Sequence, residues 1–361
     1  MRLRDECAVC RRKTQEDAEP LIPCSRCHLV HYCGRQHRTD HYATHKGRCW
    51  SVQRATCVAA HEKAALIAVH GLEFFSTGQF WHRYETRPYM LALAMQVDAL
   101  DAIGTRISLR RALDVLFECF RLNRADNMGL RDVAPGILLR LHEDQQAYDF
   151  ARWWAQDRPH YEWDNMALPY LNTSNADATE SPENSNFMSA YGGPSLHHLV
   201  AVVLVKCRVL ADARSRRRWL AFLHVAHRSS LRGHVPVLRL IHAFIAQPSS
   251  ATPRLQWNAH LASALDHLDA LLVDQIARLL QHTERRNLRI WKALLNPAPM
   301  LAMVDPPSEC FSIGDENEVK KAVQRFLPAW RATPEAFERL VAHVGSPMPP
   351  YETFRVGFRH T

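Results

Sequence analysis

Eight cysteine and histidine side chains near the start of the chain have types and spacings suited to metal binding. They form four pairs along the sequence: Cys7/Cys10, Cys24/Cys27, Cys33/His37 and His45/Cys49. The tight turn of a Cys-x-x-Cys pair points both sulfurs at one ion, and residues four apart share one face of a helix. A structural zinc ion takes four nitrogen or sulfur ligands. The eight residues therefore predict two closed Cys3His zinc sites, with no position left for a catalytic water.

The distribution of the cysteines supports metal binding over disulfide formation. Six of the ten cysteines lie in the first 49 residues, among histidines, whereas Cys57, Cys119, Cys207 and Cys310 are far apart. These four lack any nucleophile context, so we expect them to be small buried apolar residues. Because zinc-binding thiolates persist best in a reducing compartment, the pattern indicates a protein of the cytoplasm, the nucleus or both.

The run YCGRQHRTDHYATHKGRC, residues 32–49, resembles the end of a MYND-type zinc finger. Spacing alone leaves open which Cys-x-x-Cys pair shares an ion with which helical pair. The resemblance implies interleaved sites. One ion would be held by Cys7, Cys10, Cys33 and His37, and the other by Cys24, Cys27, His45 and Cys49.

Three positions depart from the usual family pattern. His37 stands where the family has cysteine, and His41, one turn later, is a rival ligand. The spacing from Cys33 favours His37. Tyr42 and Arg38 replace the tryptophan and glutamine that are usual there, and the tryptophan belongs to the peptide surface of some members. These replacements weaken any transfer of the family's binding of proline-rich peptides to this chain.

The finger, residues 1–50, has few candidates for an apolar core: Leu21, Ile22, Leu29 and Val30. A segment of this size does not fold alone on so small a core, but structural zinc supplies about 10–16 kcal/mol in such peptides. Two roles are open for the finger: binding a protein partner, which we favour, or serving only as a folding unit.

The remainder of the chain predicts a large all-α region. Its helices could form antiparallel pairs that stack as in a solenoid. Leu261, Leu265, Leu268, Leu272, Ile276 and Leu279 follow the spacing of one helix face. Residues 196–210 are apolar on every side, which favours a buried helix over a buried strand. The polar stretch 172–192 is interpreted as a flexible loop between helical halves 51–171 and 193–361.

Residues 130–156, LRDVAPGILLRLHEDQQAYDFARWWAQ, and the later YEWDNMALPYL are similar to the helical region of fungal MYND-finger proteins. This resemblance suggests a fungal origin and implies no activity. Aromatic and aliphatic residues of the stretch are expected to be core anchors. They are Ile137, Leu138, Leu141, Tyr148, Phe150 and Trp153 or Trp154.

Charge and hydropathy favour a protein partner. The formal charge of +8 is spread over 361 residues. In residues 1–50 it falls from +4 to about +2 once six zinc-bound thiolates and two Zn²⁺ ions are counted. Nucleic acid is therefore not expected as the partner.

The longest aliphatic run, 199–205, is far shorter than the roughly 20 residues of a spanning helix, so no membrane is expected either. Arg214, Arg216, Arg217 and Arg218 fit a helix junction better than a nuclear signal.

No catalytic signature was found. Glycine is too scarce for a phosphate-binding loop, and His142-Glu143 lacks the second histidine of a zinc-protease helix. The competing enzyme class is the SET-type lysine methyltransferase that carries a MYND finger. Only six residues precede Cys7, and the asparagine-histidine-serine-cysteine run of that class is missing. We therefore predict an interaction adaptor rather than an enzyme.

Overall fold

The computed structural model describes residues 6–12, 20–189, 193–228, 251–253, 260–303 and 312–345, with four single positions between 239 and 245. Two short strands, β1 (Ile22–Pro23) and β2 (His31–Tyr32), precede a helical chain. The helices are α1 (Arg35–His70), α2 (Arg87–Ile103), α3 (Arg106–Leu122), α4 (Ala134–Arg140), α5 (Asp144–Trp154), α6 (Leu196–Arg228), α7 (Leu261–Arg286), α8 (Ile290–Leu295), α9 (Ala298–Ala302), α10 (Glu316–Arg331) and α11 (Pro334–Val344). The predicted mainly α fold is confirmed, while solenoid stacking stays a prediction.

The described residues up to Ile137, together with Arg158–Tyr170, form one compact unit. In it α1 packs against α2, and α2 packs against α3. Aromatic and aliphatic side chains from these helices and from the turn after α1 form a shared core. Its buried members include Ala59, Leu66, Phe75, Phe80, Tyr89, Met90, Leu93, Cys119 and Leu122. The finger thus stands on a packed three-helix base.

The first long helix runs through the boundary that we predicted at residue 50. Its buried residues His45 and Cys49 are followed by Val52, Ala55 and Ala59 at helical spacing. The same face therefore changes from metal-type side chains to aliphatic ones without a break. For this reason the finger and the helical region share α1, and the predicted limits 1–50 and 51–171 do not coincide with helix ends.

Residues 138–157 and the described residues from 171 to 345 form a second compact unit, in which α6 packs along α7. The buried-helix prediction for 196–210 is confirmed, because the apolar residues of that stretch are almost fully buried. Lys206 is buried among them. Its Nζ donates hydrogen bonds to the backbone carbonyls of Ala178 and Glu180, at 2.8 and 2.9 Å, and to Oε1 of Gln275 at 2.8 Å.

The described part of the predicted loop, 172–189, has no helix or strand but is packed within the second unit. Phe187 is fully buried against the ring of Tyr148. The amides of Asn175 and Ala176 donate to the carboxylate of Asp149. A polar composition therefore does not leave this segment unpacked, because its polar groups bind buried partners. Residues 190–192 lie outside the described residues.

The arginine run lies within α6, and two of its members form ion pairs with α7. Arg217 pairs with Asp266 at 2.8 Å, and Arg214 pairs with Asp269, both acids being on α7. Arg216 is buried and donates to the carbonyl of Ile245. Across the described residues, no helix is both long and apolar enough to cross a membrane.

Most of the predicted core residues are buried. The aromatic and aliphatic anchors of 137–153 are all buried, and Trp153 rather than Trp154 is the fully buried tryptophan. Cys119 and Cys207 are buried as expected, but Cys57 is exposed, because it lies on the solvent side of α1. Cys310 lies outside the described residues. Ile22 is also exposed, since it sits in a two-residue strand at the finger surface.

Thr105 connects the finger to the helical base. Its hydroxyl donates to the carbonyl of Leu29 at 2.7 Å and accepts from the amide of Ser108, which caps α3. Thr105→Val keeps the shape but loses both bonds, so we expect a loss of about 1–2 kcal/mol in unfolding free energy. Thr105→Ser, which keeps the hydroxyl, is the control. Urea unfolding of the two variants would test this, and equal midpoints would contradict it.

Candidate metal centre

The second strand brings the two Cys-x-x-Cys pairs to opposite sides of one short sheet. β1 pairs with β2 in antiparallel register, with Ile22 opposite Tyr32 and Pro23 opposite His31. On the other edge Cys7 bridges to His31, whose carbonyl accepts from the amide of Ala8 at 2.9 Å. The strand β2 is only two residues long, but its contacts on both edges fix the distance between the two Cys-x-x-Cys pairs.

Each Cys-x-x-Cys pair is closed by the same backbone turn. The amide of Arg11 donates to the carbonyl of Cys7 at 2.9 Å, and the amide of His28 donates to the carbonyl of Cys24 at 3.0 Å. Arg11 and His28, each directly after the second cysteine, have φ values of 61° and 58°. This left-handed conformation turns the chain away once both sulfurs point inward. Because the turn occurs at both pairs, each pair places two sulfurs on the same side, as half of one four-donor site.

The first four turns of α1 and the residues just before it complete both sites. Cys33 precedes the helix and His37 lies in its first turn, while His45 and Cys49 follow one turn apart. The donor atoms form two groups of four. The first cluster contains Cys7, Cys10, Cys33 and His37, and the second cluster contains Cys24, Cys27, His45 and Cys49. This grouping is the interleaved arrangement that the family resemblance implied.

The donor atoms of each cluster lie close enough together to share one tetrahedral ion, and one pair, Sγ of Cys33 and Nδ1 of His37, is closer than two zinc ligands would be, at 2.8 Å. All donor atoms of a cluster lie within 4.8 Å of one another. In the first cluster the sulfurs of Cys10 and Cys33 are 3.6 Å apart, and Nδ1 of His37 is 3.4 Å from the sulfur of Cys7. In the second cluster Nε2 of His45 is 3.4 Å from the sulfur of Cys27. Zinc bonds of roughly 2.0–2.3 Å place tetrahedral ligands about 3.5–3.8 Å apart, so the residues fit zinc.

Burial distinguishes the two clusters. All four residues of the second cluster are buried, whereas Cys10 of the first is exposed. Burial raises the pKa of Cys27 to about 12, because a thiolate there is poorly solvated and lies beside two other thiols. Burial opposes ionisation of Cys7 as well, but backbone amides, chiefly that of Cys10, lower its pKa to about 6. A zinc ion deprotonates coordinating thiols outright, which offsets these costs.

His41 lies beside the second cluster and belongs to neither group. Its Nδ1 is 3.1 Å from the hydroxyl of Tyr32, and its ring stacks on that of His45 with centroids 5.5 Å apart. The ring therefore supports His45 and links it to the buried Tyr32. Burial raises the pKa of Tyr32, so its hydroxyl stays protonated. Our sequence reasoning weighed His41 only as a ligand. The sequence pattern that could have predicted this contact is the spacing of four residues between His41 and His45, which makes them neighbours on α1.

The family model of the MYND finger matches residues 7–49. This segment is a MYND zinc finger. No curated protein and no solved structure matches the chain. The fungal origin and the similarity suggested for residues 130–156 stay predictions. In the MYND finger the two Cys/His clusters are consistent with two structural zinc ions.

The position of His37 predicts how the first cluster responds to substitution. His37→Ala should lose one zinc ion because it removes one of four donors, whereas His37→Cys should keep both ions because it supplies a sulfur. His41→Ala should also keep both, since His41 only supports His45. Metal analysis of the purified variants would test this. Loss of an ion from His41→Ala and not from His37→Ala would show that the assignment is wrong.

Proposed function

We propose that this chain is a zinc-dependent interaction adaptor that binds a protein partner through its MYND finger. The observation that supports it is the presence of two four-donor clusters, each complete within the finger. We assign all eight residues of the first and second clusters as zinc ligands. Because a four-ligand zinc site is closed to substrate, the ions would stabilise the fold and not carry out a reaction.

The surface of the finger offers side chains that suit a protein partner. MYND fingers typically mediate protein interactions. Two large aromatic residues of α1 are well exposed, Tyr42 at 58% and Trp50 at 55%. Tyrosine and tryptophan are enriched in protein interfaces, because they bury a large area at a small cost in conformational entropy. These two residues are therefore the first candidates for partner contact.

The proposal includes two finer points. We propose that the protein is not an enzyme, since both metal clusters are closed and the sequence lacks the SET-type motifs. We also propose an intracellular location, in the cytoplasm, the nucleus or both, because six thiolate ligands would be oxidised more readily outside the cell.

Cys24→Ser tests the adaptor role. The variant should lose one zinc ion and the partner together, because the second cluster orders the finger. Cys57→Ser is the matched control, since Cys57 is an exposed cysteine of α1 that belongs to neither cluster. Metal analysis should give two ions per chain for the unchanged protein and for Cys57→Ser. Affinity capture should recover the same partners with the unchanged full-length protein and with Cys57→Ser.

Two outcomes would contradict the proposal. One is an unchanged set of captured partners for Cys24→Ser despite loss of zinc. The other is saturable calorimetric binding of S-adenosylmethionine followed by methyl transfer to a lysine substrate, which would establish a methyltransferase.

A further inference from the structure

The helix α2 is apolar on its outward side as well as on the side that packs against the rest of the first unit. Its buried residues are Tyr89, Met90, Ala92, Leu93, Val97 and Leu100. On the other side Leu91 and Met95 are 50% and 51% exposed. A helix that is apolar all round is normally buried all round. The outward side of α2 therefore has the composition of a covered surface, yet it is open in the single chain.

The outward side of α2 is a continuous line of exposed residues, which we call the α2 face. Its members are Tyr84, just before the helix, and Pro88, Leu91, Met95, Asp98 and Ala102 within it. At about 100° per residue, the five members within the helix point into a sector of about 80°. With a rise of about 1.5 Å per residue, they extend over about 21 Å. The face carries a single charge, that of Asp98.

A cation borders the α2 face at the end opposite Asp98. Arg87 starts the helix, and its side chain leaves the helix in a direction about 20° from that of Asp98. Its guanidinium stands 4.2 Å from the centroid of the Tyr84 ring and 5.1 Å from that of Trp81, and its Nε donates to the carbonyl of Trp81 at 3.0 Å. In the part of the chain that the structure describes, Arg87 forms no ion pair. Its remaining N–H groups are therefore available to a carboxylate of another molecule.

We propose that two copies of this chain pair through their α2 faces, with the two helices antiparallel and the two-fold axis level with Leu93. In this arrangement Leu91 of one copy meets Met95 of the other. Tyr84, which is 78% exposed, meets Ala102, so that a large ring lies against a small side chain. Arg87 comes within about 1.5 Å, measured along the helix axis, of Asp98 of the other copy and on the same edge. Two-fold symmetry forms each of these contacts twice.

The match of the α2 face with itself favours a second copy over an unrelated protein. A two-fold interface needs a surface that is complementary to itself, and this face is so in both size and charge. A parallel pair would instead place like charges level with each other and gain no ion pair. The face of one helix is smaller than the roughly 800 Å² per partner of a standard interface, so we expect a dissociation constant in the micromolar range. The dimer goes beyond the adaptor role and would present two MYND fingers to a partner.

Sedimentation velocity of the full-length zinc-loaded protein tests the dimer. Between about 1 and about 300 μM we expect a reversible equilibrium of monomer and dimer. Leu91→Ser should weaken the dimer by about tenfold or more, because a two-fold interface contains the substitution twice. Leu288→Ser is the matched control, since Leu288 is a 70% exposed leucine of the second unit and should leave the dimer unchanged. Metal analysis and circular dichroism should be the same for both variants.

A pair of charge variants tests the direction of the helices. Arg87→Glu and Asp98→Arg each place like charges at both contacts, so each variant alone should dimerise about tenfold more weakly. Mixed together, the two variants should form a mixed dimer, because one copy then supplies two anions and the other two cations. Energy transfer between differently labelled variants would detect it. Loss of the Arg87 stacking on Tyr84 cannot imitate this rescue, because the rescue requires contact between two chains.

Three results would overturn the proposal. These are a monomer at every concentration, equal weakening of the dimer by Leu91→Ser and Leu288→Ser, and no mixed dimer from the two charge variants. A monomer whose affinity capture of other proteins depends on Leu91 would assign the α2 face to a different partner. The adaptor role is tested separately, because Cys24→Ser changes the finger and leaves the α2 face intact.

Discussion

The finger encloses very little apolar surface, so its shape depends on sulfur and nitrogen atoms that converge on two points. Among the described residues of the finger, Leu29, Val30 and Tyr32 are the buried apolar side chains outside the clusters. In a larger domain, the burial of many such residues would offset the conformational entropy lost on folding. Here a small number of strong bonds replaces many weak ones. The two-residue strands and the paired left-handed turns are structures that such bonds can hold in place.

The helix α1 carries this constraint into the rest of the first unit. Its first turns contribute His37, His45 and Cys49 to the clusters, and its later turns contribute Ala59 and Leu66 to the apolar core. A helix is stiff over this length, so the metal clusters set both its position and its rotation about its own axis. The faces that α1 presents to α2 and to solvent are consequences of that rotation.

Local patterns in the sequence were sufficient to predict some features. The eight candidate ligands follow from short spacings, and the Leu261–Leu279 face follows from helical periodicity. Both patterns depend only on neighbours along the chain. The pairing of clusters required a family resemblance, because it joins residues distant in sequence. The continuity of α1 was missed because its buried face changes composition at residue 50.

Polar residues that form tertiary contacts could not be predicted. Lys206 lies within an apolar helix, and its acceptors come from residue 178, residue 180 and residue 275. The segment 172–189 looks unstructured in composition, yet it is packed because its carbonyls meet that lysine. Neither feature has a periodic signature. Both depend on which distant groups the fold brings together.

The buried lysine also bears on how the chain folds during synthesis. Its two carbonyl acceptors precede it in the sequence, but Gln275 follows it by 69 residues. At roughly 5–20 residues per second, the ribosome needs several seconds to make that interval. Until then the ammonium group of a nascent α6 lacks one of its three acceptors, and water must remain near it. The set of hydrogen bonds around Lys206 can therefore be completed only after the part of α7 that contains Gln275 has left the exit tunnel.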